Sequence, residues 1–142
     1  MDEIIDNGPT PVVTNVVAAA LGNTNYRSTV WTGNNLQMTV MSIEPGHDIG
    51  MEVHDTHDQF IRIEEGFAKV SMGPSQDQLR TWEATSSDAV FVPAGTWHNL
   101  ECTGQVTLKV YSIYAPPQHP HGTVHVTQHD AEVAEAVQEA QQ

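Results

Sequence analysis

The chain has 142 residues, five Lys and Arg against 18 Asp and Glu, and a formal charge of −13. A field of that sign repels phosphate backbones and anionic lipid, so neither nucleic acid nor a membrane surface is an expected partner. With one cysteine (Cys102), no apolar stretch of membrane-spanning length and an acidic start, Met1-Asp2-Glu3, unlike a signal peptide, the reducing cytoplasm is the simplest compartment.

The length suits one domain, residues 1–142, and 39% apolar residues allow a core. Eight prolines and ten glycines among many Val and Thr favour short strands over a helical bundle. Residues 1–11 carry Pro9 and Pro11 and read as a loose arm. Val12–Leu21 reads as a short strand followed by a helical turn, closed by Gly22-Asn23. Tyr26–Trp31 is a strand ended by the turn Thr32-Gly33-Asn34-Asn35. Leu36–Ile43 is a stronger strand, stopped by Pro45-Gly46. Phe60–Ile63 and Phe67–Met72 meet at Glu65-Gly66, a hairpin signal. Gly73 to Asp77 is a loop, and Leu79–Ala84 is a weaker strand. Val90–Val92 and Val106–Tyr114 are strands, with Pro93-Ala94-Gly95 and Thr103-Gly104 between them. Ala115 to Gly122 holds too much Pro for regular structure. From Asp130 to Gln142, Val133, Ala134, Val137 and Ala140 fall at helical spacing, with Asp130 as N-cap. Seven or more short strands predict a sandwich or barrel.

Chemistry concentrates between Gly46 and Phe60. Glu52 and His54 are two apart, so on a strand they share a face, where a carboxylate and an imidazole can grip one cation. Gln59 follows across a short turn and can add an amide oxygen; Pro93-Ala94-Gly95-Thr96-Trp97-His98 then delivers a second histidine. His57 lies in the turn, either as an alternative donor to Gln59 or as a solvated side chain, and His47 reads as solvated. Tyr114 shares parity with Val106, Leu108 and Val110 and faces inward, where its hydroxyl can pack or donate a proton. Tyr111 has the opposite parity. Arg62 is out of phase with Gln59 and Ile61, and no basic residue is clearly inward. Trp97 and Phe91 suit the core or a dimer contact. His119, His121, His125 and His129 can bind metal nonspecifically, cross the surface, or fold back as a lid on the barrel. Cys102 has no basic neighbour to activate it and reads as an inert thiol.

Two of these segments together resemble the paired signatures of the cupin superfamily. The first signature is Gly, five residues, His-x-His, three or four residues, Glu, six residues, Gly; here Gly46, Glu52, His54, Gln59 and Gly66 hold those positions. The second is Gly, five residues, Pro-x-Gly, two residues, His, three residues, Asn; here Ser87, Pro93, Gly95, His98 and Cys102 do. Glu52 stands for His, Gln59 for Glu, Ser87 for Gly and Cys102 for Asn. The strings from Asp58 to Gly66 and from Tyr114 to His125 also resemble those of a group of small bacterial and archaeal cupins.

The resemblance implies an all-β cupin double-stranded β-helix, a jelly-roll barrel with a short C-terminal helix, assembled as a homodimer. The barrel core is expected at about residues 36–114, with an N-terminal arm over 1–35 and a Pro/His-rich loop and helix over 115–142. It further implies a divalent metal ion (Mn, Fe, Ni or Zn) in the barrel mouth, held by Glu52, His54, Gln59 and His98. The substituted set keeps one formal negative charge on the metal, from Glu52 instead of the usual Glu. Two classes of function follow for a small-molecule substrate or ligand. One is a metal-dependent isomerase, lyase or dioxygenase with Tyr114 as the candidate catalytic residue; the other is a non-catalytic binding or sensing cupin. The scarcity of basic residues favours a neutral or carboxylate substrate over a phosphorylated one.

Overall fold

Apolar side chains recur at every second position in the central strands, and that period decides which face each strand buries. The computed structural model describes residues 4–140. In chain order these form α1 (Val16–Gly22), β1 (Arg27–Thr32), β2 (Gln37–Ile43), β3 (Asp58–Glu65), β4 (Phe67–Gly73), β5 (Arg80–Thr85), β6 (Ala89–Val92), β7 (Trp97–Cys102), β8 (Leu108–Ala115), β9 (Val124–His125) and α2 (Gln128–Ala140). A six-stranded sheet runs β6-β3-β8-β2-β1-β9, and a three-stranded sheet runs β5-β4-β7. The strands pair antiparallel in both sheets. The fold is that of a cupin-type jelly roll with a short C-terminal helix.

The core lies between the sheets. Met41, Ile43, Ile61, Ile63, Leu108 and Val110 of the large sheet meet Ala68, Val70, Leu100 and Cys102 of the small one. Each fully buried Leu or Ile contributes about 1.5–3 kcal/mol. β2 is buried at all seven positions, because α1 covers its other face. Ala20, Val30, Met38 and Val40 form that second cluster, with Tyr111 and Ile113 packed against it. Gly66 has φ 99° in the β3–β4 hairpin, and a Cβ there would meet the Leu108 Cα at 3.0 Å, so the turn requires glycine.

Four local expectations are corrected. Among the described residues no strand precedes α1: Asn15 caps the helix by accepting from Ala18 N at 3.0 Å, while Val13 is fully exposed and lies outside every strand. The run Ala18-Ala19-Ala20 favours helix over strand. β7 occupies a stretch read as lying between strands; its inward residues are His98, Leu100 and Cys102, and the polar His98 opposite an apolar outward Trp97 hides the apolar period. Val106 is exposed, and β8 begins at Leu108. Thr127, not Asp130, caps α2: Thr127 Oγ1 accepts from Asp130 N at 3.1 Å and Asp130 Oδ2 accepts from Thr127 N at 3.2 Å. The expected last two helical residues, 141 and 142, lie outside the described residues. Among the described residues, no helix is long and apolar enough to cross a membrane.

The tail is fastened to the barrel by two buried polar side chains. Gln37 is fully buried; its Nε2 donates to Thr32 Oγ1 at 2.9 Å and His119 O at 2.8 Å, and its Oε1 accepts from Gln118 N at 3.1 Å and His119 N at 2.9 Å. Asp6 accepts from Gly8 N and Thr32 N at 3.0 Å and from Gly122 N at 3.2 Å. β9 then pairs with β1, which carries the chain back across the barrel to α2.

Candidate metal centre

Backbone hydrogen bonds stitch the two histidine-bearing segments together. Glu52 N donates to His98 O at 3.0 Å and His98 N to Glu52 O at 2.9 Å, so the 48–54 segment runs beside β7. Gly95 N donates to His54 O at 2.9 Å, which ties the tight turn before β7 to the other histidine. One ligating atom from each of Glu52, His54 and His98 falls within 4.8 Å of the others. His54 Nε2 and His98 Nε2 lie 3.3 and 3.5 Å from Glu52 Oε1, close enough for ion pairing, yet neither nitrogen has a hydrogen-bond partner. His98 Nδ1 sits 3.0 Å from Thr96 O. A carbonyl only accepts, so Nδ1 carries a proton and Nε2 is the nitrogen that faces the cluster. Burial alone would push the Glu52 carboxyl up, but His54 and His98 outweigh it and hold it at about 2. At neutral pH this is an anion facing two imidazoles, the arrangement a divalent cation accepts.

Residues 39–114 match the cupin domain family. The chain belongs to that family. It is 51% identical over 131 residues to the uncharacterised Bacillus subtilis protein YrkC, covering 92% of this chain and 70% of that one. The crystal structure of BH2720 from Bacillus halodurans matches at TM-score 0.90 and 50% identity, over 92% of this chain and 99% of that chain. Bacillus subtilis oxalate decarboxylase, which has Mn(II) centres, matches at TM-score 0.56 and 20% identity, over 61% of this chain and 23% of that one. At that identity the likeness concerns the fold.

The remaining expected residues take different places around the mouth of this cupin. Gln59 is buried and its Oε1 has no partner; it lines the same cleft as Glu52 and Tyr114. His57 is half-buried, with Nε2 3.0 Å from Pro117 O and Nδ1 3.0 Å from Thr56 Oγ1, so both its nitrogens are engaged. Tyr114 is 1% exposed, and its ring centroid is 6.0 Å from that of His54 and 5.3 Å from that of His119. Burial pushes its hydroxyl up to about 12, against an opposing pull from Arg27. Trp97 is half-buried and Phe91 is exposed, so neither is a core residue. His47 is exposed, and Tyr111 packs under α1.

The four tail histidines separate. His121 pairs with Asp6 at 3.3 Å, His129 is exposed, His125 lies against Arg27, and His119 faces the mouth. A cavity of about 430 Å³ opens there, lined among others by Glu52, His54, Trp97, Gln118, His119 and Glu135. The C-terminal segment therefore forms part of the mouth. Burial pushes the His119 imidazole down to about 2, so it is neutral, and its Nε2 has no partner.

Arg27 overturns the expectation that no basic residue points inward. It is 1% exposed and lines the cleft that holds Glu52, Gln59 and Tyr114. Parity could not reveal it, because β1 is buried at four consecutive positions and both its faces are covered.

Proposed function

We propose that this cupin is a metal-dependent enzyme acting on a small polar molecule, with Glu52, His54, His98 and Gln59 as the metal's protein donors and Tyr114 as a proton donor. The observation that carries the reading is the convergence of Glu52, His54 and His98 within 4.8 Å, with both Nε2 atoms turned toward the Glu52 carboxylate without forming a hydrogen bond among the described residues. Unpartnered buried nitrogens and an unpartnered Gln59 Oε1 are costly unless something fills the space between them. An oxygen and nitrogen donor set without thiolate suits Mn, Fe, Ni or Zn. When bound, such an ion polarises a carbonyl oxygen or, as iron or manganese, supports oxygen chemistry.

The chain's own groups supply the rest. Tyr114 stays protonated at neutral pH, so its hydroxyl acts as an acid and not as a base. His119, held by the Gln37 clamp, offers a neutral imidazole at the mouth. Trp97, Gln118 and His119 line the mouth beside Glu52 and His54. These parts suit an isomerase, a lyase or a dioxygenase. We further assign the chain as one cupin domain over 1–142, a homodimer through the exposed apolar side chains Phe67, Trp82 and Phe91, and cytoplasmic, in keeping with the lone buried thiol Cys102.

Metal analysis of the purified full-length protein tests the reading. Near-stoichiometric metal in the wild type and its loss in Glu52→Ala and His98→Ala support it; unchanged content in both variants overturns the donor assignment. Oxygen uptake with a panel of diols and keto acids identifies a dioxygenase, and isomer formation without uptake identifies an isomerase. Ligand binding with no turnover of any of them favours a sensing role.

A further inference from the structure

Arg27 is fully buried, and a guanidinium keeps its charge at any pH the protein meets. Its partners are few. Nη1 lies 3.2 Å from His125 Nδ1 and 3.9 Å from Glu135 Oε1, and Nε has no partner. The Tyr26 ring lies 5.4 Å from the guanidinium carbon. Since Arg only donates, His125 Nδ1 accepts and that imidazole is neutral. Among the described residues the ion-pair partner of Arg27 is Glu135, and the contact is long.

Glu135 reaches Arg27 from α2 and is itself 44% exposed. Burial pushes its carboxyl above the usual range, and the pull of Arg27 does not offset this. The pair is loose on both counts. Glu135 also lines the mouth cavity beside Glu52 and His54, so it stands between the cavity and Arg27. Behind it lies the narrow cleft formed in part by Arg27, Glu52, Gln59, Ser112 and Tyr114, which in this structure has no room for a water molecule.

We propose that Arg27 anchors a carboxylate on the molecule bound in the mouth, and that Glu135 holds that place until the carboxylate displaces it. This deepens the metal-centre reading by naming the substrate class: a small monocarboxylate whose other polar group faces Glu52, His54 and His98. A guanidinium presents paired N–H groups that match the two oxygens of a carboxylate, and the Nη1 side now faced by Glu135 is the one that opens toward the mouth when Glu135 moves away. The exchange replaces one carboxylate by another, so the charge around Arg27 is conserved. A phosphate dianion fits poorly, because it would meet Glu52, Glu135 and Glu139 in the mouth with a single guanidinium to offset them.

The test is a titration of the zinc-loaded full-length protein with sodium acetate, following the Arg27 Nε–H resonance by NMR, with acetamide as the neutral control. Acetate is expected to shift that resonance and saturate at millimolar concentration, and acetamide to leave it unmoved. Arg27→Lys, followed through the His119 and His125 ring resonances because the arginine signal is gone, should weaken acetate at least tenfold with zinc content unchanged. Glu135→Gln, at a half-exposed helix position, should tighten it at least threefold by removing the internal competitor. Equal acetate affinity in the wild type and both variants, or no saturable binding to the wild type, overturns the proposal. Repeating the titration without zinc separates the two claims. If zinc does not bind but acetate still responds to Arg27 and Glu135, the metal centre falls and the anchor stands; if zinc binds and acetate ignores both residues, the anchor falls alone.

Discussion

Two clusters of buried polar side chains sit within this barrel, and they are built in opposite ways. In the clamp, Gln37 and Asp6 use their oxygens and amide hydrogens on named partners in β1 and the tail. In the mouth, His54 Nε2, His98 Nε2, Gln59 Oε1 and Arg27 Nε have none. A satisfied hydrogen bond contributes about 0.5–1.5 kcal/mol, whereas an orphaned buried group costs about 1–3 kcal/mol. The clamp therefore stabilises the fold, and the orphaned groups of the mouth weaken it unless something fills the space between them.

The sharpest way to break the contrast is to fill the mouth. Adding Mn(II) or Zn(II) to chelator-stripped protein should stabilise it by about 4 kcal/mol at a thousandfold excess over Kd. Thermal melts should show a rise of roughly 10 °C that is absent in His98→Ala. No rise in the wild type would place mouth and clamp in the same class.

Damage to the clamp should act only on the fold. Gln37→Leu orphans two backbone amides and a carbonyl of the tail, so urea denaturation should show a loss of about 3 kcal/mol. Metal content should not change, and a parallel loss of metal would show that the clamp is part of the site.

Acid distinguishes the clamp by its slope. Burial pushes the Asp6 carboxyl up, but hydrogen bonds from Thr32, Gly8 N and Gly122 N outweigh it and hold it below the usual range. The folded state thus binds that proton less readily than the unfolded chain. Its contribution is fully present above the ordinary carboxylate pKa of about 4 and is lost as pH falls toward the lower folded value. Melts between pH 6 and pH 3 should drop less steeply for Asp6→Asn than for the wild type, and identical slopes would contradict the assignment.

The smallest effect lies outside both clusters. Ser87 stands at a cupin glycine position and has φ 74°. Ser87→Val should cost about 1 kcal/mol in the urea midpoint, since a β-branched residue resists that conformation, and Ser87→Gly should cost none.

Much of this was readable from the chain alone, for physical reasons. β2, β3, β4 and β8 alternate or run apolar and have unambiguous turns beside them. Glu52 and His54 follow from spacing, because residues two apart on extended chain share a face, and His98 follows from the tight turn before it and its place in the second cupin signature. β7 was hidden because its inward positions include the polar His98 while the apolar Trp97 faces outward. Arg27 was hidden because a strand covered on both faces gives no parity. The mouth's Glu135 and His119 come from a tail whose return depends on Gln37, about eighty residues earlier in the chain, a contact no local pattern encodes.

The most direct measurement is an anomalous difference map from crystals of the metal-loaded protein, collected at the absorption edge of the metal. One strong peak within about 2.0–2.3 Å of Glu52, His54 and His98 is the result expected. A peak beside the tail histidines instead, with those three side chains left empty, would contradict the account.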